Sequence, residues 1–177
     1  MYPIKTDMRR WVPTTGPIRR GFTLIEAALV TVIIGVGVMA MMQLLAAGTM
    51  QNGAGAKLTT GLAMAGNIRE LTLDMAFSDP DQTASWGTES GEAAVAAYDD
   101  LDDLDGKTFN PPIDARRQSI ASQDQWTQMI EVQCVDPDLI TTTVPSGSSP
   151  MARVTVTVLC GGQEVCKTSW LAVDPDN

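Results

Sequence analysis

The chain has 177 residues, a formal net charge of −9, three cysteines and no histidine. Its length suits one small domain with an attached segment, not two full domains. The missing histidine excludes a histidine-based catalytic triad, and repulsion from phosphates argues against nucleic-acid binding.

The charge is unevenly placed. Residues 1–21 hold Lys5, Arg9, Arg10, Arg19 and Arg20 against Asp7 alone, leaving 7 basic and 20 acidic residues, or −13, in the remainder. This leader carries Pro3, Pro13 and Pro17 and is expected to lack regular structure; Met8 is an alternative start. Residues 27–56 then contain no Asp, Glu, Lys or Arg, more than the ~20 needed to span a bilayer. The most apolar part is 27–47. Basic residues before an apolar run keep the N-terminus in the cytoplasm and send the rest outward.

No proline stands between Pro17 and Pro80. One continuous helix is therefore predicted over 22–76, about 80 Å long at ~1.5 Å per residue. Leu58, Leu62, Ala65, Ile68, Leu71, Leu73 and Met75 give its second half an apolar face that should pack on the rest of the protein. Gly35, Gly37, Gly48, Gly53 and Gly55 each cost roughly 1 kcal/mol of helix stability against alanine. They leave two readings open: local unwinding near 48–56 inside an assembly, or close helix packing through small residues such as Ala27, Thr31 and Gly35.

One residue does not fit a simple anchor. Glu26 lies at the start of the apolar run, where a carboxylate needs a partner: at the bilayer centre a charge costs roughly 2.5–3.5 kcal/mol. If the chain is cut after Gly21, Phe22 gains a free amine about one helical turn from Glu26. The carboxylate then meets an ammonium and the positive end of a helix dipole.

The tract Arg19-Arg20-Gly21-Phe22-Thr23-Leu24-Ile25-Glu26 with its apolar helix resembles the prepilin signal of type IV pilins and type II secretion pseudopilins. The resemblance covers residues 19 to about 50. It implies a membrane aspartyl peptidase that cuts between Gly21 and Phe22 and methylates the new terminus. It also implies that Glu26 neutralises the terminal amine of a neighbouring subunit during assembly. The partners implied are this prepilin peptidase and N-methyltransferase, other pilin or pseudopilin subunits, and the bacterial inner membrane before assembly. No cofactor and no enzymatic activity are implied. The absence of an internal proline departs from many major pilins.

Beyond the helix, Asp79-Pro80-Asp81, Trp86-Gly87 and Ser90-Gly91 mark turns in a loop-rich stretch over 77–125. Residues 92–98 are expected to form two helical turns. Five aspartates then crowd into seven positions: Asp99, Asp100, Asp102, Asp103 and Asp105. Clustered oxygen ligands suit a hard cation such as calcium. The spacing fails the EF-hand test, however, and the competing reading is a solvated acidic loop; no metal is assigned. Residues 98–106 also resemble a tract in minor pilins of the mannose-sensitive haemagglutinin and PilV-like kinds, which points to a minor subunit.

The C-terminal part alternates as strands do. Over 126–135, Ile130, Val132 and Cys134 share one face, and over 152–160 Val154, Val156, Val158 and Cys160 share another. Gly161-Gly162 signals a hairpin into a third strand over 164–173. A strict two-residue turn would pair Val158 with Val165 and turn Cys166 and Trp170 outward. A three-residue loop with a bulge would turn both inward, and this register is preferred because it buries the tryptophan. Residues 137–150 read as an exposed Thr/Ser/Pro/Gly loop. Three antiparallel strands over the second half of the helix make an α+β head on a long N-terminal helix, the layout the resemblance also implies.

Cys134, Cys160 and Cys166 all lie in the exported part, where one disulfide is expected and one thiol is left over. The pairing is open. Without histidine, and with five residues between Cys160 and Cys166, zinc is not indicated.

The organisation expected is thus a cleaved leader over 1–21, a spine helix over 22–76 and an exported head over 77–177. The function expected is that of a structural subunit, of the minor kind, in a type IV pilus or secretion pseudopilus. It would be a single-pass inner-membrane protein first and part of an extracellular or periplasmic filament later. The alternative is an exported soluble binding protein whose conventional signal peptide is cut near Ala56.

Overall fold

A computed structural model describes residues 21–79, 86–89 and 91–175. The leader with its basic residues, its prolines and Met8 lies outside the described residues, as do Pro80, Asp81 and Ser90. The chain divides into two compact units, one ending at Gly48 and the other beginning at Thr49.

In the first unit the described residues after Thr23 are helical. Helix α1, Leu24–Leu73, continues without a break through Gly48, Gly53 and Gly55. It is long and apolar enough to cross a membrane. Its first half is exposed almost throughout, with Leu24 at 89% and Phe22, just before it, at 70%. The helix stops three residues before the expected Ala76. Asp74 N–H donates to Leu71 O, and Ala76 leaves the helix to form a parallel bridge with Asp100.

The second unit is an α+β head in which the end of α1 packs on an antiparallel sheet. The strands are β1 Thr108–Phe109, β2 Trp126–Cys134, β3 Met151–Cys160 and β4 Gln163–Val173, ordered β1-β2-β3-β4. The three longer strands are those the alternation predicted. β1 adds a fourth, too short to leave a periodic signal. Ala152, Val154, Val156 and Val158 of β3 are wholly buried beside Ile130 and Val132 of β2. Each such valine or isoleucine side chain contributes roughly 1.5–3 kcal/mol on burial.

The buried face of α1 is Gly61, Met64, Ala65, Ile68 and Leu71. This corrects the expected face in part: Leu58, Leu62 and Leu73 are 45%, 46% and 74% exposed. At about 100° per residue these leucines fall on the flank of the stripe centred on Ile68. Gly61 holds the centre because a Cβ there would lie 3.0 Å from Cys166 Sγ and 3.2 Å from Val165 Cγ1. Gln128, also wholly buried, ties three segments together. Its amide nitrogen, Nε2, donates to Met64 O at 2.8 Å and to Ile113 O at 3.2 Å, while Oε1 accepts Ile113 N–H at 2.8 Å.

The hairpin register is the preferred one, reached by a different route. Gly161 and Gly162 (φ 59° and 79°) form a tight two-residue turn pairing Cys160 with Gln163, the positive-φ geometry that suits glycine. A bulge then shifts the ladder, so that Leu159 faces Glu164 and Val158 faces Cys166. Cys166 is buried and Trp170 half-buried against the core.

Two loop expectations change. Residues 92–98 form a single turn, closed by Ala97 N–H on Ala94 O, instead of two helical turns. The 137–150 stretch is largely exposed but tethered: Val144 N–H donates to Cys134 O, and Asp136 N–H to Thr142 O. Arg153 reaches Ile140 O from β3.

Candidate functional sites

Two places gather the residues singled out by the sequence. At the first, Gly21, Phe22 and Thr23 precede the helix and are exposed. Among the described residues, nothing lies within 4 Å of where a Gly21 side chain would begin. Thr23 caps the helix: its backbone carbonyl accepts Ala27 N–H at 3.1 Å, and its Oγ1 accepts Glu26 N–H at 3.3 Å. Glu26 is therefore the third helical residue, exposed, in the turn where the helix dipole favours a negative charge. This capping role of Thr23 was not anticipated from the sequence. The signal was present, because Thr-x-x-Glu before an apolar run is a capping-box pattern.

The second place is the acidic tract. It is not the solvated loop that stood as one reading. Tyr98, Leu101 and Leu104 recur every third residue and are all buried in the core, and one 3-10 turn covers Asp102–Leu104. Leu101 N–H donates to Ala76 O, fixing the segment beside the end of α1. These anchors carry the intervening carboxylates inward: Asp100 and Asp103 are 0% exposed and Asp102 is 5% exposed.

Asp105 is turned elsewhere. Its Oδ1 accepts Val132 N–H at 2.9 Å, filling the edge of β2 beyond short β1, and its Oδ2 accepts Trp86 Nε1–H at 3.3 Å. Glu89 and Glu92 take its place, and the linear motif had not included them. Carboxylate oxygens of Glu89, Glu92 and Asp103 lie within 4.8 Å of one another, as do those of Asp99, Asp100 and Asp103. Asp103 belongs to both groups. Backbone amides fix one oxygen of several of these groups: Asp103 N–H donates to Asp100 Oδ1, Asp99 N–H to Asp103 Oδ2, and Glu89 N–H to Glu92 Oε2. Asp100 Oδ2, Asp102 Oδ1, Asp103 Oδ1 and both Glu89 oxygens have no hydrogen-bond donor.

The electrostatics follow. Like charges this close together repel one another. Burial, then the neighbouring Asp102, pushes Asp100 up to about 8. Burial also raises Asp102, and takes Asp103 up to about 6. The adjoining Glu92 carboxylate, followed by burial, pushes Glu89 up to about 7. Glu92 moves the other way, held down chiefly by the Glu89 amide. Lys107, the nearby base, donates to Thr88 Oγ1 at 3.4 Å and lies 5.1 Å from the Tyr98 ring centroid.

The cysteines do not form the expected bridge; all three are free thiols. Cys134 lies opposite Ala152 and Cys160 opposite Trp126, about eight residues of strand or roughly 26 Å apart. Cys166 faces Val158, diagonal to Cys160. Such diagonals measure ~7–8 Å between Cα atoms, beyond the usual disulfide span of about 4.4–6.8 Å. Burial raises the Cys166 thiol, which keeps it protonated and unreactive.

Compared with known proteins, the chain matches no family model, no curated protein and no solved structure.

Proposed function

We propose that this chain is a prepilin-like structural subunit, of the minor kind, in a type IV pilus or type II secretion pseudopilus. The observation that carries the proposal is the first half of α1: an exposed apolar helix, uncharged over 27–56, that begins with one carboxylate in a capped first turn. In water such a surface is unfavourable at about 25 cal/mol per Å² of apolar area. Lipid covers it before assembly, and the helices of neighbouring subunits cover it afterwards.

In this reading the exposed Gly21–Phe22 peptide is cut by a membrane aspartyl peptidase, and Phe22 is then N-methylated. Glu26 pairs with the terminal ammonium of a neighbour. The pairing sets the register of assembly, since an unpartnered carboxylate in an apolar helix bundle is costly. The head is exported, and the protein is the substrate of an enzyme instead of an enzyme itself. The α+β fold supports the reading because it joins this helix directly to a compact head.

The test is Glu26→Ala. The variant is expected to be inserted and cut normally but to be missing from sheared filaments, with at least a tenfold drop in the filament fraction by immunoblot. Normal incorporation would refute the register role.

A further inference from the structure

We propose that the acidic pocket of the head is a calcium site centred on Asp103, with Glu89 and Glu92 on one side of it, Asp99 and Asp100 on the other, and Asp102 beside them. This goes beyond a subunit role and does not depend on it. Clustering alone would not suffice, since acidic groups often gather on surfaces without a ligand. Here the decisive feature is burial without donors. Asp100 and Asp103 are completely removed from solvent and Asp102 nearly so, yet each keeps one oxygen with no hydrogen-bond partner. Buried polar atoms are almost always paired, and buried carboxylates are paired with cations or coordinate metals.

The arrangement presents these oxygens in an orderly way. For Asp100 and Asp103 a backbone amide holds one oxygen, leaving the other for a ligand. Such outer contacts are the kind that orient metal ligands. Three carboxylates supply oxygens within a 4.8 Å sphere, twice over, with Asp103 shared.

The donor set favours calcium. An all-oxygen set without imidazole or thiolate also points away from zinc and copper. Calcium tolerates six to eight oxygens and bidentate carboxylates, whereas magnesium demands a near-ideal octahedron and keeps its waters.

Full-length protein in detergent micelles, stripped with EDTA, is titrated with calcium chloride by calorimetry. In parallel, terbium luminescence is excited through tryptophan, with Trp86 close by through Asp105. Saturable calcium binding in the range of about 10⁻⁵–10⁻³ M, a terbium signal that calcium displaces, and at least tenfold weaker magnesium binding are expected. Asp103→Asn and Glu89→Gln should each weaken calcium binding at least tenfold. Both relieve repulsion, so both should melt at the parent's temperature or higher in EDTA. Glu164→Gln, at the exposed hairpin, should bind as the parent does.

No saturable calcium binding by folded parent protein up to 10-fold above that range would overturn the proposal. So would unchanged binding in both pocket variants. Equal affinity for magnesium would overturn the assignment of calcium. The terbium titration of the parent stands even if a variant fails to fold.

Discussion

Gln128→Met replaces an amide that joins helix, loop and sheet with an apolar side chain of similar length. Gln128 is wholly buried on β2 and makes three hydrogen bonds, to Met64 O, Ile113 O and Ile113 N–H. The Met64 carbonyl keeps its place in the helical ladder, so its loss is small. The Ile113 amide loses its acceptor inside the core, which costs about 1–3 kcal/mol, and the Ile113 carbonyl loses a donor worth about 1 kcal/mol. The net loss is therefore expected at about 2–4 kcal/mol, a large share of the ~5–15 kcal/mol that holds a domain together. At roughly 4 °C per kcal/mol the melting point should fall by about 8–16 °C. The assay is guanidinium unfolding of the full-length protein in detergent, followed by the near-ultraviolet signal of buried Trp126. A loss below about 0.5 kcal/mol would refute the reasoning, since it would mean that the Ile113 backbone finds other partners.

Gly61→Leu should destabilise the head by at least about 1–3 kcal/mol, because even a Cβ there meets Cys166 Sγ at 3.0 Å; an unchanged unfolding midpoint would contradict this close approach of helix and sheet. The acidic pocket predicts an unusual pH dependence in EDTA. Asp100, Glu89 and Asp103 have folded-state pKa values near 8, 7 and 6, all above their ordinary range. Their stabilising contribution is complete below about pH 4 and is lost as pH rises through 6 to 8. The melting temperature in chelator should therefore be lower at pH 8.5 than at pH 5.5, and a flat or rising profile across that interval would count against the buried carboxylate cluster.

Much of the head was legible because its strands obey a strict rule. Val154, Val156 and Val158 alternate with polar residues, and only one pairing register buries Cys166 and Trp170 together. The turn chemistry was harder to read. Gly161-Gly162 gives a two-residue turn, and the register is corrected at the bulge two residues into β4 instead of in the loop. The helix face was misjudged because leucines drew attention to the flank, while Gly61 and Met64 occupy the contact.

The acidic tract was the least legible part. A test on linear spacing cannot see that Asp105 serves Trp86 and Val132, or that Glu89 and Glu92 enter from another segment. Its burial did have a signal, since Tyr98, Leu101 and Leu104 recur at three-residue intervals. At the N-terminus, Gly21, Phe22 and Glu26 stand within six residues of sequence, and only Glu26 lies inside α1, in its first turn.

The most direct measurement for the proposed function is the N-terminus of the mature protein, read by Edman sequencing and intact mass after expression beside a prepilin peptidase. The account predicts a start at N-methylated Phe22, and no such product from Gly21→Val, whose branched side chain obstructs the cut. Retention of residues 1–21 in the parent, or an unmethylated start at Gly48 or Lys57 as for a conventional signal peptide, would contradict it.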